Sequence, residues 1–365
     1  MATGRPPLLP LLISGVYATI GRDQTSFAVV RLMLATSLAA AGAFSVCLTA
    51  KLLAPQYASW ESFIGCLSTL AFALTHRTLY EYATDFLTEP IALLVMQLLV
   101  LSVWRATQAS RAEGNSQARS YLSTLVAGAL MGALIMTRSV FVLWLPGVWI
   151  LMFASCSGGF WYRWSKACLF ISVAIVVCLP WWVRNMVVLD RAMPLGTQGP
   201  ITLLGGYADE ALNCNGDWQL EPILRLQAEL AKTKSYQLLT DDTQREIMLA
   251  TEASRQVRQW IAAHWTDIPH MMLKRIYVHW NPYTGRSAVW KLAILVGIAA
   301  CIAQRHPMAW WLVGTLVIST GVTAVLYSTG GRFLVPLYGV MYTLAGLGVA
   351  AGFRSVARAC RLHAQ

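Results

Sequence analysis

Long apolar stretches separated by short polar breaks dominate this chain, and their length limits what they can be. A helix needs about 20 residues to cross the hydrocarbon core of a bilayer. Stretches near that length recur at roughly 26–48, 58–77, 88–104, 120–137, 139–155, 164–184, 287–303, 308–326 and 331–353. Backbone polar groups find no water in lipid, so spans of this kind must be helical. The pattern predicts an all-α polytopic membrane protein with about nine transmembrane helices.

Two segments break the pattern. Leu8 to Ile20 is apolar over about 13 residues, too few to cross, and Pro6, Pro7 and Pro10 interrupt the approach. This predicts a membrane-surface helix within 1–25, and the prolines weigh against a cleaved signal peptide. Residues 186–286 are polar and amphipathic instead. Ile247, Leu249, Ala250, Ala253, Val257, Trp260 and Ile261 fall on one helical stripe between Asp241 and His264, and Asp267 with Pro269 signals the start of another helix. The chain therefore divides into the surface helix 1–25, a six-span block 26–185, a small helical loop domain 186–286, three closing spans 287–353 and a basic tail 354–365.

Charge orients the spans. Lys51, Arg105, Arg111, Arg119, Arg163, Lys166, Arg305, Arg354, Arg358 and Arg361 border one set of alternating ends, while the opposite short loops carry only Arg77, Arg138 and Arg332. The positive-inside rule makes the first set cytoplasmic and the loop domain extracytoplasmic, in a multi-pass protein of the cytoplasmic (inner) membrane. The loop domain holds ten Lys/Arg against eleven Asp/Glu, so the net charge of +11 resides elsewhere and marks topology. No nucleic-acid partner is expected.

Several chemistries find no support. Seven of the eight cysteines lie in spans or near the cytoplasmic face, leaving Cys214 alone in the loop domain, so no disulfide is expected within it. The histidines show no metal-ligand spacing, and Gly196 to Gly199 lacks the Lys-Ser/Thr of a phosphate loop. No cofactor is identified and no divalent metal is indicated. Gly128 with Gly132 and Gly348 with Gly352 predict close helix approach.

Ionisable residues gather instead at the outer ends of the spans. The run Tyr80 to Pro90 carries Tyr82, Asp85 and Glu89, and Pro90 suits a first helical turn, which puts Glu89 at the outer tip of the third span. Capping by Thr88, Asp85 and Glu89 explains one acid more readily than several in one loop. Thr137-Arg138-Ser139 divides 35 apolar residues, Tyr121 to Ser155, and must form a tight outer hairpin. Its arginine runs against the charge bias, which snorkelling or an anionic ligand both explain. Trp182, Arg184 and Asn185 end the sixth span on the same face, and Tyr327 to Arg332 brings a third arginine. Guanidinium groups match phosphate oxygens, and a carboxylate accepts a proton.

The order Pro6-Pro7-Leu8-Leu9-Pro10-Leu11-Leu12, Phe27 to Arg31, Thr88-Glu89-Pro90, Gly128 to Arg138, Pro180-Trp181-Trp182-Val183-Arg184-Asn185 and Arg332-Phe333-Leu334-Val335-Pro336 resembles the C-type membrane glycosyltransferases (GT-C). Within them it is most similar to the bacterial branch related to protein O-mannosyltransferases and the lipid A aminoarabinose transferase. The resemblance covers nearly the whole chain through short motifs. It implies inverting transfer of a sugar from a polyprenyl-phosphate donor to an acceptor hydroxyl at the outer face, the acceptor being a lipid, glycan or protein. On that reading Asp85 and Glu89 are the candidate catalytic carboxylates, Arg138, Arg184 and Arg332 bind the donor phosphate, and Tyr82, Trp182, Asn185 and Tyr327 contact sugar or acceptor.

In the family, a span and an acidic loop precede the Pro-Pro-Leu helix, and the loop carries the residue taken to be the base. Here Met1 to Arg5 precede it. An odd number of spans behind a cytoplasmic tail gives the same expectation of a further upstream span. Two alternatives stay open: an inactive truncated homologue serving as an assembly partner, and a lipid or solute transporter. Span centres free of Asp, Glu, Lys and Arg weigh against the transporter.

Overall fold

The computed structural model describes residues 6–110, 116–281, 288–305 and 308–363; Met1 to Arg5 and Arg111 lie outside the described residues. Those described are helical throughout, joined by turns, with one isolated bridge between Asp217 and Ser328.

The surface helix α1 is Leu8–Ile20, bounded by Pro7 and by Gly21, whose φ of +99° ends it. Asp23 then caps α2 (Gln24–Leu53): its Oδ1 accepts the Ser26 N–H at 2.8 Å, and Ser26 Oγ accepts the Asp23 N–H at 3.2 Å. The block continues with α3 (Ser59–Leu74), α4 (Arg77–Thr84), α5 (Glu89–Ala109), α6 (Ser116–Thr137), a 3₁₀ turn (Ser139–Trp144) running into α7 (Leu145–Ser155), and α8 (Phe160–Leu189). The second span was expected to reach 77, but the chain breaks at Thr75 and His76 and begins the short α4, which carries Tyr82.

Outside the block lie α9 (Gln198–Gly206), α10 (Asp209–Asn213), α11 (Glu221–Ala231), α12 (Lys234–Gln237), α13 (Asp242–Ala263) and α14 (Ile268–Trp280). The amphipathic stripe of α13 buries Leu249, Ala253 and Val257 against Leu204, Ile223 and Leu226 of α9 and α11, a separate small core. The chain closes with α15 (Ala288–Ala303), α16 (Ala309–Val325), a 3₁₀ turn (Arg332–Leu337) and α17 (Tyr338–His363). Among the described residues five helices are long and apolar enough to cross a membrane, and shorter apolar helices occupy the remaining expected spans.

α5 and α17 form the centre, with Ala92, Met96, Val100, Leu344 and Ala345 wholly buried. α2 and α3 pack on one side, α6 and α8 on the other, and α15 runs along α17. Small residues set these crossings. A methyl at Gly128 or Gly132 would lie 2.6 Å from Phe170 O or 2.8 Å from Ala174 O, so α6 and α8 meet backbone to backbone. Gly348 lies closer still to Ala293 of α15, whereas Gly352 has open space around it. Of the second glycine pair, only the first member makes a crossing.

A carboxylate between two arginines

Three chain segments meet at the end of the bundle where the acids and arginines were expected. α5 begins there, with Pro90 in its first turn and Glu89 as its first residue, where the positive end of the helix dipole favours an acid. Thr88 stands at the cap position without capping the backbone; its hydroxyl instead lies 3.5 Å from Glu89 Oε2. α6 ends there, and Arg138 takes an extended conformation (φ −148°, ψ 116°) to turn the chain into the 3₁₀ segment. Arg332 arrives third, behind Gly330 and Gly331, both left-handed at φ +58° and +82°.

Glu89 is wholly buried, and its Oε1 accepts hydrogen bonds from both guanidiniums: Arg138 Nη1 at 3.4 Å and Arg332 Nε more closely. A buried carboxylate without partners would be strongly unfavourable, so the two cations are what keep Glu89 ionised here. The trio carries one net positive charge. Arg138 is 15% exposed and Arg332 39%, so the surplus charge faces outward through Arg332.

Aromatic residues surround the cations. Arg138 lies 4.9 Å from the Phe333 ring centroid and Arg332 5.8 Å from that of Tyr82. Tyr327 feels both: burial pushes its phenol up, while Arg138 and Arg332 pull it down. Tyr82, Glu89, Arg138, Tyr327 and Arg332 therefore form one constellation. Asp85, four residues before Glu89, is exposed, and its carboxylate has no hydrogen bond or ion pair among the described residues. Phe86 beside it holds a left-handed φ of +53°, an unfavoured conformation for an aromatic residue, and packs against Phe27 and Arg31 of α2.

The sixth-span residues do not join this constellation. Arg184 donates to Asn185 Oδ1 at 3.1 Å and stacks on Trp181 at 4.7 Å, while Asn185 donates to Pro194 O at 3.0 Å. Among the described residues none of these contacts reaches Glu89, Arg138 or Arg332. Trp182 is half-buried against the bundle core. Among the described residues no group of three or more His, Cys, Asp and Glu side chains converges to hold a metal ion.

An apolar groove of about 720 Å³ opens between α14, α15 and α16. Tyr277, Trp280, Leu295 and Val317 line it, Leu334 and Met341 extend it toward the segment after Arg332, and Lys291 stands in it bonded to Asn281.

Sequence reasoning missed one major polar residue nearby. Arg275 of α14 is wholly buried and satisfies four backbone carbonyls. The signal was present: Arg275 stands four residues after Met271 and three before Val278, on the buried stripe of its helix.

These features define the class: an all-helical polytopic protein with a buried carboxylate bridging two arginines at one end of its bundle. Two solved structures are similar to it. ArnT from Cupriavidus metallidurans in the apo state matches over 96% of this chain and 67% of its own, at 12% identity and a TM-score of 0.35. The same protein bound to undecaprenyl phosphate matches over 97% and 68%, at 14% identity and a TM-score of 0.40. No family model and no curated protein matches the chain.

Proposed function

We propose that the chain is a membrane glycosyltransferase that moves a sugar from a polyprenyl-phosphate donor to an acceptor hydroxyl at the outer face of the inner membrane. The observation that carries this reading is the Glu89–Arg138–Arg332 trio. Its surplus charge matches the single negative charge of a sugar phosphodiester, and its two guanidiniums are held by Glu89 before any ligand arrives, so little ordering remains to be done on binding. The apolar groove supports the same reading, since it offers a carrier chain a place beside the segment that bears Arg332.

In the reaction, the acceptor oxygen bonds to the anomeric carbon as the bond from that carbon to the phosphate oxygen breaks. The electron pair leaves with the polyprenyl phosphate, whose growing negative charge Arg138 and Arg332 stabilise. The acceptor's proton passes to a carboxylate. The two candidate acids divide these tasks: Glu89, engaged with two arginines, holds them in place, while the exposed Asp85 is the base. A single displacement inverts the anomeric centre. Tyr82 and Tyr327 flank the arginines as sugar or acceptor contacts, and Arg184, turned to Asn185, is not a principal phosphate ligand.

Binding of polyprenyl monophosphate to the reconstituted protein tests this. Arg138→Ala and Arg332→Ala should each weaken binding by roughly 10- to 100-fold, the value of a charge-assisted hydrogen bond. Arg184→Ala should change it by less than about 3-fold. Unchanged binding in folded Arg138→Ala and Arg332→Ala protein would refute the phosphate site. The engagement of Glu89 favours one competing reading, a protein that binds the lipid phosphate without turnover. It predicts binding with no sugar transfer and no effect of Asp85→Asn.

A further inference from the structure

The turn that leads to Arg332 takes its long-range hydrogen bonds from the outer loop domain. α16 ends at Val325, and the last carbonyls of a helix have no helical donor. The buried Arg275 guanidinium supplies them, donating to Ala324 O at 3.1 Å and Val325 O at 3.4 Å while also reaching Gly206 O at 2.6 Å and, through Nε, Gly216 O at 3.1 Å. Its positive charge sits at the negative end of the α16 dipole. The Tyr207 hydroxyl donates to Val325 O as well, beneath the same guanidinium.

The grip continues along the turn. The Trp218 N–H donates to Ser328 O at 2.8 Å, within the parallel bridge that pairs Asp217 with Ser328. Asp217 Oδ1 accepts the Gly330 N–H at 3.1 Å. Gly206 lies flat against Tyr327, where a methyl would come within 2.6 Å of Tyr327 Cβ. Past this last peg come Gly330 and Gly331, the least restricted step a backbone can take, and then Arg332. The direction in which Arg332 leaves the turn therefore depends on where Gly330 is pinned.

We propose that Asp217, in a segment seated by Arg275, is a positioning residue for Arg332, so that the outer loop domain takes part in phosphate binding through the arginine it places. This rests on the reading of Arg138 and Arg332 as phosphate ligands. Asp217→Ala frees Gly330. Asp217→Asn keeps a carbonyl oxygen that accepts the same N–H.

Two measurements test the proposal on the reconstituted 365-residue chain. In Asp217→Ala, amide hydrogen exchange should rise across 326–331 while α13 keeps its protection, and polyprenyl monophosphate should bind roughly 3- to 10-fold more weakly. Asp217→Asn should bind as the unmodified protein does. In an Arg332→Ala background, Asp217→Ala should add no further loss, the signature of one residue acting through another. Unchanged exchange across 326–331 overturns the clamp. Raised exchange with unchanged affinity, or an equal loss in both backgrounds, overturns the positioning role. Normal binding by Arg332→Ala alone would instead refute the phosphate reading, and the exchange measurement would still decide the clamp.

Discussion

Replacing Glu89 by Gln removes the one negative charge between Arg138 and Arg332 while keeping the shape of the side chain. Glu89 is wholly buried and its Oε1 accepts from both guanidiniums, so the variant leaves two cations facing each other around a neutral amide. Deleting one partner of a buried charge pair typically costs about 3 to 5 kcal/mol. Arg332 is 39% exposed, so solvent screens its share and the lower end of that range applies, about 3 kcal/mol. On the scaling of soluble proteins of this length, that is a fall in melting temperature of about 4 °C. A dianionic lipid phosphate can replace the lost carboxylate as counter-ion. Polyprenyl monophosphate should therefore raise the melting temperature of Glu89→Gln by more than it raises that of the unmodified protein. Thermal unfolding in detergent, with and without the lipid, reads both effects. A Glu89→Gln protein that melts with the unmodified chain, or gains less from the lipid, would refute Glu89 as the counter-ion on which the two buried cations depend.

Two further outcomes are expected. Cys214 of the loop domain and Cys360 near the end of α17 are both exposed free thiols; a membrane-impermeant maleimide should label Cys214 in intact cells and Cys360 only after permeabilisation, and the reverse pattern would invert the topology. His279 is wholly buried with neither ring nitrogen hydrogen-bonded among the described residues, and burial pushes its pKa down to about 4. Its folded value lies below the unfolded one of about 6.5, so the unfolded chain takes up the proton first and stability falls as pH drops through that window, by up to about 3 kcal/mol. Unfolding measured from pH 7.5 to 4 should show a shallower acid loss in His279→Phe; identical slopes would mean the ring is accessible to protons in the folded protein.

The spans were legible because one term dominates them: an apolar run of fixed length in lipid has a single backbone solution. α1 was legible to its ends, since Pro7 and Gly21 punctuate it. Glu89 and Arg138 could be placed at the tips of their helices from Pro90 and from the one polar break in a 35-residue apolar run. Their partnership with each other and with Arg332 was not readable, because it depends on α5, α6 and the turn after α16 packing together across long separations. Arg184 shows the converse: its position in sequence matched the others, yet a neighbouring Asn185 and Trp181 satisfy it locally. Lys166 was counted as a cytoplasmic flank, but it is wholly buried, with Nζ donating to Ser120 and to Ala106 O. In the loop domain, charges are frequent enough that Arg275 stood out only through its helical phase.

The unequal lengths of the helices bear on the membrane itself. α3 has 16 residues and α16 has 17, about 24 to 26 Å at 1.5 Å per residue, against a hydrocarbon core of about 30 Å. α7 with its preceding 3₁₀ turn is longer, about 28 Å because that turn rises about 2.0 Å per residue, and it packs against α16, which in turn meets α15. If these elements cross the bilayer, thinning of the lipid beside them is one way to keep their apolar surface matched, and it would form a dimple on that flank. Shared between two leaflets, a mismatch of about 4 to 6 Å would set the outer headgroups about 2 to 3 Å deeper there. On the proposed function, a lipid phosphate entering there would begin its path already partway below the plane of the surrounding membrane, and bilayers of shorter acyl chains would relieve the strain of holding the dimple open.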